Sequence, residues 1–253
     1  MTRDLLIRIA HLYPLQMNIY GDRGNILTLV QRCRWRGIAV RVDVLDVGQD
    51  VDLRSYDIAF FGGGQDSNQS LVADDFRQIK GPALREAIEE GLAVLAICGG
   101  YQLMGHSFRT HTGEEMPGVG IFDAQTIAGE KRLIGNVVIE WEDAPKQSPA
   151  QTLVGFENHS GRTYLGPGCR PLGRVIVGHG NNGEDRTEGA VYRNAHGCYL
   201  HGTLLPKNPH LADHLIGAAL RRRYGPETQL TPLDDKLDWA AHQAMVERLL
   251  SRR

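Results

Sequence analysis

The first hundred residues alternate short apolar runs with stretches whose apolar positions recur at a helical spacing. The apolar runs, rich in β-branched residues, lie at 5–12, 40–47, 56–61 and 92–97. Runs of this length and composition predict buried strands. Apolar residues recur at a helical spacing after Asn25, which could cap a helix, and again over 76–90. Strands that alternate with helices predict a mostly parallel central sheet with helices on both faces.

Beyond residue 117 the pattern changes to strand after strand. The predicted strands lie at 118–127, 133–141, 175–178 and 190–200. This succession predicts a mixed or antiparallel portion, followed by one helix from Asn208 and a second over 234–250. The side chains expected to be buried in these helices are Leu211, Leu215, Ala219, Leu220, Leu237, Ala241, Met245 and Leu249. Since no internal repeat or low-complexity linker interrupts the chain, we expect a single α/β domain over 1–253.

The composition narrows the classes of function. The chain has 253 residues, 42% of them hydrophobic, and a net charge of −2, so no general attraction to nucleic acid or anionic membranes follows. Four cysteines form no C-x-x-C pair, so neither a zinc site nor a redox motif is supported, and we expect no metal site. No apolar run approaches the ~18 residues of a membrane span, and Arg8 and His11 interrupt the first apolar run. We therefore expect a cytoplasmic protein with reduced thiols.

Cys98 stands where the run 92–97 ends and a helix is predicted to begin, and Gly99 and Gly100 follow it directly. Two glycines permit a sharp turn between a strand and a helix. A cysteine at such a turn lies at the positive end of the helix, which favours the thiolate. The alternative is a buried structural cysteine, but the double-glycine turn favours a nucleophile.

A cysteine nucleophile needs a base and donors for an oxyanion. His201 is the preferred base because it follows the apolar run 197–200 at a second strand end; His159 is its main rival and His179 a weaker one. The Gly62–Gly64 loop ends the strand 56–61 and is either an oxyanion hole or an ordinary turn. Nowhere does the chain carry the G-x-x-x-x-G-K-[ST] signature of a phosphate loop.

These motifs together resemble those of a known family. The Gly62–Gly64 loop, the segment Ala-Ile-Cys-Gly-Gly-Tyr-Gln over 96–102 and Leu-His-Gly over 200–202 resemble the class I (triad) glutamine amidotransferases, in their cobyric acid synthase-like branch. The segments 12–25 and 156–163 resemble the glutaminase subunits of lipid II isoglutaminyl synthases. The resemblance extends over nearly the whole chain and implies a class I glutamine amidotransferase-like α/β fold.

The resemblance also implies an activity and partners. Such a subunit hydrolyses glutamine through a thioester on Cys98, with His201 as acid and base and the N–H groups of Gly63, Gly64 and Gly99 at the oxyanion. It forms a heterodimer with a Mur-ligase-like synthetase, which uses ammonia to amidate the D-glutamate α-carboxyl of lipid II in peptidoglycan synthesis. This chain would hold no cofactor, since ATP and Mg are expected on the partner. Lipid II is then reached only through that partner.

Two further residues are implied as contacts of the glutamine substrate. Gln102 occupies a position that recognises glutamine in related enzymes, with ordinary helix polarity as the alternative. Arg132 is the preferred partner of the α-carboxylate, because a guanidinium binds carboxylates in a bidentate manner. The alternatives are Arg162 as that partner, or Arg132 as a solvated surface residue.

The chain departs from the wider class at one position. Triad amidotransferases carry a glutamate two residues after the histidine, whereas Thr203 stands there in this chain. Glu157 or an aspartate of the synthetase partner is then the candidate third acid, and we expect the isolated subunit to be a poor glutaminase. The competing functions are ammonia supply for another amidation such as a cobyrinic acid-type synthase, a non-catalytic regulatory scaffold, and a cysteine peptidase or chaperone-like relative.

Overall fold

A computed structural model describes residues 4–144 and 151–251. The strands are β1 (Leu6–Leu12), β2 (Ala39–Leu45), β3 (Ile58–Phe61), β4 (Ala93–Ile97), β5 (Ser107–Arg109), β6 (Glu115–Pro117), β7 (Ala124–Trp141), β8 (Thr152–Leu165), β9 (Gly173–Val177), β10 (Thr187–Glu188), β11 (Ala190–Tyr192) and β12 (Ala195–Cys198). The helices are α1 (Arg23–Arg34), α2 (Asp66–Asp75), α3 (Gly81–Glu89), α4 (Gly99–Leu103), α5 (Leu204–Lys207), α6 (Pro209–Tyr224) and α7 (Lys236–Leu250). A short 3₁₀ helix spans Leu53–Ser55, and a π-helical segment, Phe76–Lys80, joins α2 to α3.

The central sheet has the strand order β11-β12-β4-β3-β1-β2. All neighbouring strands in it are parallel except β11 and β12, which form an antiparallel hairpin. Every residue of β3, β4 and β12 is buried. Successive side chains of a strand point to opposite faces, so both faces of the sheet are covered, and β4 contacts both α4 and α6. The predicted fold class, a mostly parallel central sheet with helices on both faces, is confirmed.

The second sheet, with the order β10-β9-β7-β5-β6 and β8 paired to β7, contains parallel and antiparallel pairs. It is the mixed portion that the sequence predicts. One long strand, β7, replaces the two strands predicted at 118–127 and 133–141, and its register with β8 shifts between Ala128 and Leu133. The sequence did not predict β8, whose buried positions include polar residues such as Glu157.

Several element boundaries differ from the prediction. Helix α1 begins at Arg23, so Asn25 is not its cap; Asn25 is buried and its Oδ1 accepts the Leu205 N–H at 2.9 Å. The helix predicted over 76–90 is the later part of a longer helical stretch that starts with α2. In α7 the predicted face is wrong at Leu237, which is 86% exposed, and at Ala241, which is also exposed, because the helix packs through His242 and Leu249. No helix in the described ranges has the length and apolarity needed to span a bilayer.

A buried ion-pair cluster joins α1 to the C-terminal helices. The Arg32 guanidinium, 2% exposed, donates to both oxygens of Asp213 and both oxygens of Asp235 at 2.6–2.9 Å. We expect Arg32→Met to lower the free energy of unfolding by about 3 kcal/mol, since the Asp235 carboxylate loses its cation, while Asp213 keeps its ion pair with Arg36. Urea denaturation measures the change. In the control Arg41→Met, which breaks a solvent-exposed pair with Asp43, the midpoint should stay essentially unchanged.

Candidate active site

Cys98 lies at the end of β4, at a sharp turn into α4. Its backbone has φ 49° and ψ −104°, a left-handed conformation that is strained for a residue with a side chain. The next turn of chain packs so closely that a Cβ on Gly100 would lie 2.7 Å from the Phe61 carbonyl oxygen. The turn therefore requires glycine at position 100, and it leaves the Cys98 side chain 6% exposed in the wall of a cavity.

His201 reaches Cys98 from much later in the chain because β12 pairs in parallel with β4. Cys198 lies opposite Ile97 in this register, and the Cys98 N–H donates to the Cys198 carbonyl at 2.8 Å. Beyond β12, the His201 N–H donates to the Phe156 carbonyl of β8 at 2.7 Å, and the Phe156 N–H donates to the His201 carbonyl at 3.2 Å. His201 is thus fixed at the junction of the two sheets, and its side chain is completely buried.

The environment of His201 favours the charged ring. Burial alone would lower its pKa, but the Cys98 thiolate and the Asp22 carboxylate outweigh burial and raise the pKa to about 10. Neither ring nitrogen makes a hydrogen bond of ordinary length. Contacts of this kind often tighten only when an enzyme binds its substrate. The arrangement is therefore suited to a thiolate–imidazolium pair.

Asp22, between β1 and α1, lies next to the imidazole of His201. Its Oδ1 is 3.6 Å from His201 Nδ1, and its Oδ2 accepts the Gly63 N–H at 2.6 Å. Asp22 is 1% exposed, and Oδ1 has no hydrogen-bond donor. One carboxylate therefore faces both the histidine and the glycine loop.

The Gly62–Gly64 loop and Gly99 lie side by side at the carboxyl ends of β3 and β4. A Cβ on Gly99 would lie 3.0 Å from the Gly64 nitrogen, and a Cβ on Gly63 would lie 2.9 Å from His201 Cε1. Gly64 lines the cavity beside Cys98. Asp22 Oδ2 already accepts the Gly63 N–H, so the N–H groups of Gly64 and Gly99 are the members of the predicted set that remain as candidate oxyanion donors.

The cavity has a volume of about 370 Å³, in the range of small-molecule sites. Its lining residues are Ile19, Tyr20, Gly64, Gln65, Ser67, Gln69, Cys98, Gln102, Arg132, Asn158, His159 and Ser160. Arg132 donates to Asn158 Oδ1 at 2.8 Å and to the Asn158 carbonyl at 2.7 Å, and Asn158 donates to the Tyr20 hydroxyl at 2.7 Å. The alternative cation, Arg162, does not line the cavity; it binds the carbonyls of Ser160 and Lys131.

Gln102 lies in the cavity wall with its amide already engaged. Its Oε1 accepts from Gln69 at 2.9 Å, and its Nε2 donates to the Tyr199 hydroxyl at 3.0 Å. The Tyr199 hydroxyl also bonds to Thr163 at 2.7 Å. The amide is fixed by protein partners on both sides, and the expected contact with substrate requires one of these bonds to be exchanged.

The rival histidines differ in position, because His159 lines the cavity whereas His179 lies outside it beside Glu157. His159 stacks on Tyr199, with ring centroids 3.6 Å apart, and burial lowers its pKa to about 3. His179 is half exposed and bonds to Glu157 at 2.6 Å, outside the cavity. Glu157 also accepts the backbone N–H groups of His179 and Gly180. The candidate third acid from the sequence is thus committed to the segment 179–180 rather than to His201.

The sequence reasoning did not single out Asp22, Tyr20 or Asn158. All three lie within the two segments that carry the more specific resemblance, 12–25 and 156–163. The Tyr20 ring stands edge-on to His201 with centroids 4.9 Å apart, and its φ of 52° is unusual for tyrosine. The strained backbone of Tyr20 is seen only in the folded chain, so no local signal in the sequence marked these three residues.

Comparisons with known proteins identify the family of the chain and proteins of similar fold. The CobB/CobQ-like glutamine amidotransferase domain model matches residues 8–209. The chain is 43% identical over 236 residues to the lipid II isoglutaminyl synthase (glutamine-hydrolyzing) subunit GatD of Streptococcus pneumoniae, covering 91% of this chain and 87% of that protein. It is 40% identical over 242 residues to GatD of Staphylococcus aureus, covering 96% of each. Its fold resembles a glutamine amidotransferase structure from Thermotoga maritima, with a TM-score of 0.52 and 16% identity, and the match covers 96% of this chain and 97% of that one.

Proposed function

The chain belongs to the CobB/CobQ-like glutamine amidotransferase family, and from this premise we propose that it is the glutaminase subunit of a lipid II isoglutaminyl synthase. The observation that carries the proposal is the position of His201 beside Cys98, whose side chain lines the cavity. The high identity to two GatD subunits over most of the chain supports lipid II as the acceptor rather than a cobyrinic acid-type substrate.

The reaction begins with attack of the Cys98 thiolate on the side-chain amide carbon of glutamine. The resulting oxyanion takes hydrogen bonds from the N–H groups of Gly64 and Gly99. His201, as imidazolium, donates a proton to the departing nitrogen, and ammonia leaves as the γ-glutamyl thioester forms. Water then attacks the thioester while neutral His201 accepts its proton. Glutamate leaves, and the Cys98–His201 pair is regenerated.

The ammonia passes to a Mur-ligase-like synthetase in a heterodimer. That partner binds ATP and Mg, activates the D-glutamate α-carboxyl of lipid II and forms D-isoglutamine, so this chain holds no cofactor of its own. The four cysteines of this chain are all unpaired thiols, which suits work in the reducing cytoplasm. Gly63 contributes by holding Asp22 in this scheme, while Gln102 and Arg132 position the glutamine.

The test is reconstitution with the synthetase encoded by the same organism. The complex should convert lipid II to its amidated form with glutamine or with ammonium chloride as nitrogen source, and mass spectrometry of the stem peptide measures the product. The chain alone should hydrolyse glutamine slowly, and the complex should hydrolyse it more rapidly. Amidation that proceeds equally well without this chain when glutamine is the nitrogen source would contradict the proposal.

Replacing Arg132 tests substrate binding separately from chemistry. We expect Arg132→Met to raise the KM for glutamine about 10- to 100-fold, since a charge-assisted bond to the α-carboxylate is lost. The kcat should change by less than a factor of about three, because this contact is made equally in the ground state and the transition state. Arg162→Met is the matched control and should leave both constants near wild type. An unchanged KM in Arg132→Met would instead assign Arg132 to the surface.

A further inference from the structure

Arg132, the cation of the cavity, is held by the protein along one edge of its guanidinium. Its Nε donates to Asn158 Oδ1 at 2.8 Å, and its Nη2 donates to the Asn158 carbonyl at 2.7 Å. Nη1 bonds to no other residue among those that the structure describes. A guanidinium can bind a carboxylate through Nε and Nη2 or through Nη1 and Nη2. The first edge is occupied, so the second is the one left for a ligand.

The bonds to Asn158 matter because Arg132 is otherwise free to move. The register of β7 with β8 shifts between Ala128 and Leu133, and the residues between them form a bulge that carries Arg132. Bulges turn side chains out of the regular alternation of a strand. Arg132 is exposed there, and a long exposed side chain samples many rotamers unless a neighbour holds it. Asn158 is the neighbour that does so.

Asn158 is in turn fixed from another wall of the cavity. Its Nδ2 donates to the Tyr20 hydroxyl at 2.7 Å, and both residues line the cavity. The Tyr20 ring stands edge-on to His201, with centroids 4.9 Å apart. Its backbone, with φ 52°, is costly for a residue with a side chain and persists only where the surroundings hold it. Asn158 and Tyr20 therefore connect Arg132 to the histidine beside Cys98.

The charges in the cavity agree with this arrangement. Arg132 is the one lysine or arginine among the described residues that line the cavity, and no described aspartate or glutamate side chain lines it. Asn158 is uncharged, so it orients the guanidinium and leaves the full positive charge for a ligand. An aspartate at position 158 would neutralise that charge instead.

We infer that Asn158 and Tyr20 are positioning residues that hold Arg132 at a fixed distance from Cys98 and thereby select the length of the substrate. The inference rests on the proposed glutamine hydrolysis, in which Arg132 binds the α-carboxylate. Glutamine then reaches the guanidinium and the sulfur at the same time. Asparagine has the same two groups but is one methylene shorter, so its amide stops short of the sulfur while its carboxylate is bound. A mobile Arg132 would follow the shorter substrate inwards.

The experiment measures glutamine hydrolysis in the complex with the synthetase. In Asn158→Leu the KM should rise about tenfold, because binding must then immobilise the guanidinium, while kcat changes by less than a factor of about three. Asn158→Asp should raise the KM as well, since its carboxylate pairs with the guanidinium in place of the substrate. Tyr20→Phe keeps the ring beside His201 and should raise the KM about threefold. The control Tyr164→Phe removes a hydroxyl that bonds to Glu184 outside the cavity, and both constants should stay unchanged.

A double variant separates positioning from packing. Because Asn158 acts through Arg132, adding Asn158→Leu to Arg132→Met should raise the KM by no more than about twofold over Arg132→Met alone. The preference for glutamine over asparagine in kcat/KM should fall about tenfold in Asn158→Leu. Effects that multiply in the double variant, an unchanged preference, or an Asn158→Asp enzyme with wild-type KM each overturn the inference.

A second measurement needs no turnover. Iodoacetamide alkylates the Cys98 thiolate and has no carboxylate, so the alkylation rate should be the same in the wild type and in Asn158→Leu. Bound glutamine should protect Cys98, and Asn158→Leu should need about tenfold more glutamine for half protection. Equal protection in both enzymes, or an alkylation rate that falls in the variant, overturns the role of Asn158. Absence of protection in the wild type would instead remove the proposed function, so the two failures are distinguishable.

Discussion

Cys98→Ala should abolish glutamine-dependent amidation, with a loss of about 10⁴-fold or more in the glutaminase rate. The loss is large because no thioester can form, and the remaining groups have no nucleophile to assist. Ammonium chloride should restore amidation by the complex, since the synthetase needs only ammonia. Release of ammonia from glutamine and amidation of lipid II, measured in the same samples, separate the two steps.

The other cysteines provide the control. Burial raises the pKa of Cys33 to about 12 and that of Cys169 to about 11, and it raises the pKa of Cys198 as well. A glutamine-like diazo-ketone should therefore modify only Cys98, and Cys169→Ala should keep full activity. An adduct on another cysteine, or activity left in Cys98→Ala above the level of contamination, would contradict the assignment of the nucleophile.

The local signals in the sequence were sufficient for the four strands β1 to β4 of the central sheet. The strands β1, β3 and β4 are short, mostly apolar runs that end in glycine-rich turns or polar loops, and their length and composition are readable from the residues alone. The same signal predicted that Cys98 and the Gly62–Gly64 loop lie on one edge, because parallel strands end together. The structure places them side by side there.

Long-range pairing was not readable in this way. The sequence assigned 190–200 to the antiparallel portion, whereas β12 completes the parallel sheet beside β4. A hairpin looks the same in sequence whichever sheet it joins, since partner choice depends on packing far along the chain. The strand β8 was missed because Glu157 and His159 interrupt its apolar pattern, although both are buried and hydrogen-bonded.

The candidate site likewise contains residues that the sequence alone reveals and residues that only the folded chain reveals. Arg132 was found because its residue type suits a carboxylate, and it lines the cavity. Asp22 was missed because nothing local distinguishes an aspartate in the turn before α1 from a helix-capping residue. Only the folded chain, in which β1 lies next to β3 and the loop after β1 reaches His201, gives that aspartate a neighbour.

His201→Gln should lower the glutaminase kcat about 10³-fold, because both the proton for ammonia and the base for water are lost together. Glutamine should still bind, so KM should change little. Rapid mixing with labelled glutamine should show slow thioester formation and slower breakdown, since the imidazole acts in both steps.

His159→Gln is the matched control, because His159 lines the same cavity but is neutral, with a pKa of about 3, and has its Nδ1 bonded to the Gly161 carbonyl at 2.8 Å. A ring that is not protonated to imidazolium near pH 7 is a poor acid, so we expect a loss of at most about tenfold, from altered stacking on Tyr199. The reverse order, with His159→Gln inactive and His201→Gln active, would transfer the proton-transfer role to His159. It would also leave the raised pKa of His201, about 10, without a catalytic purpose.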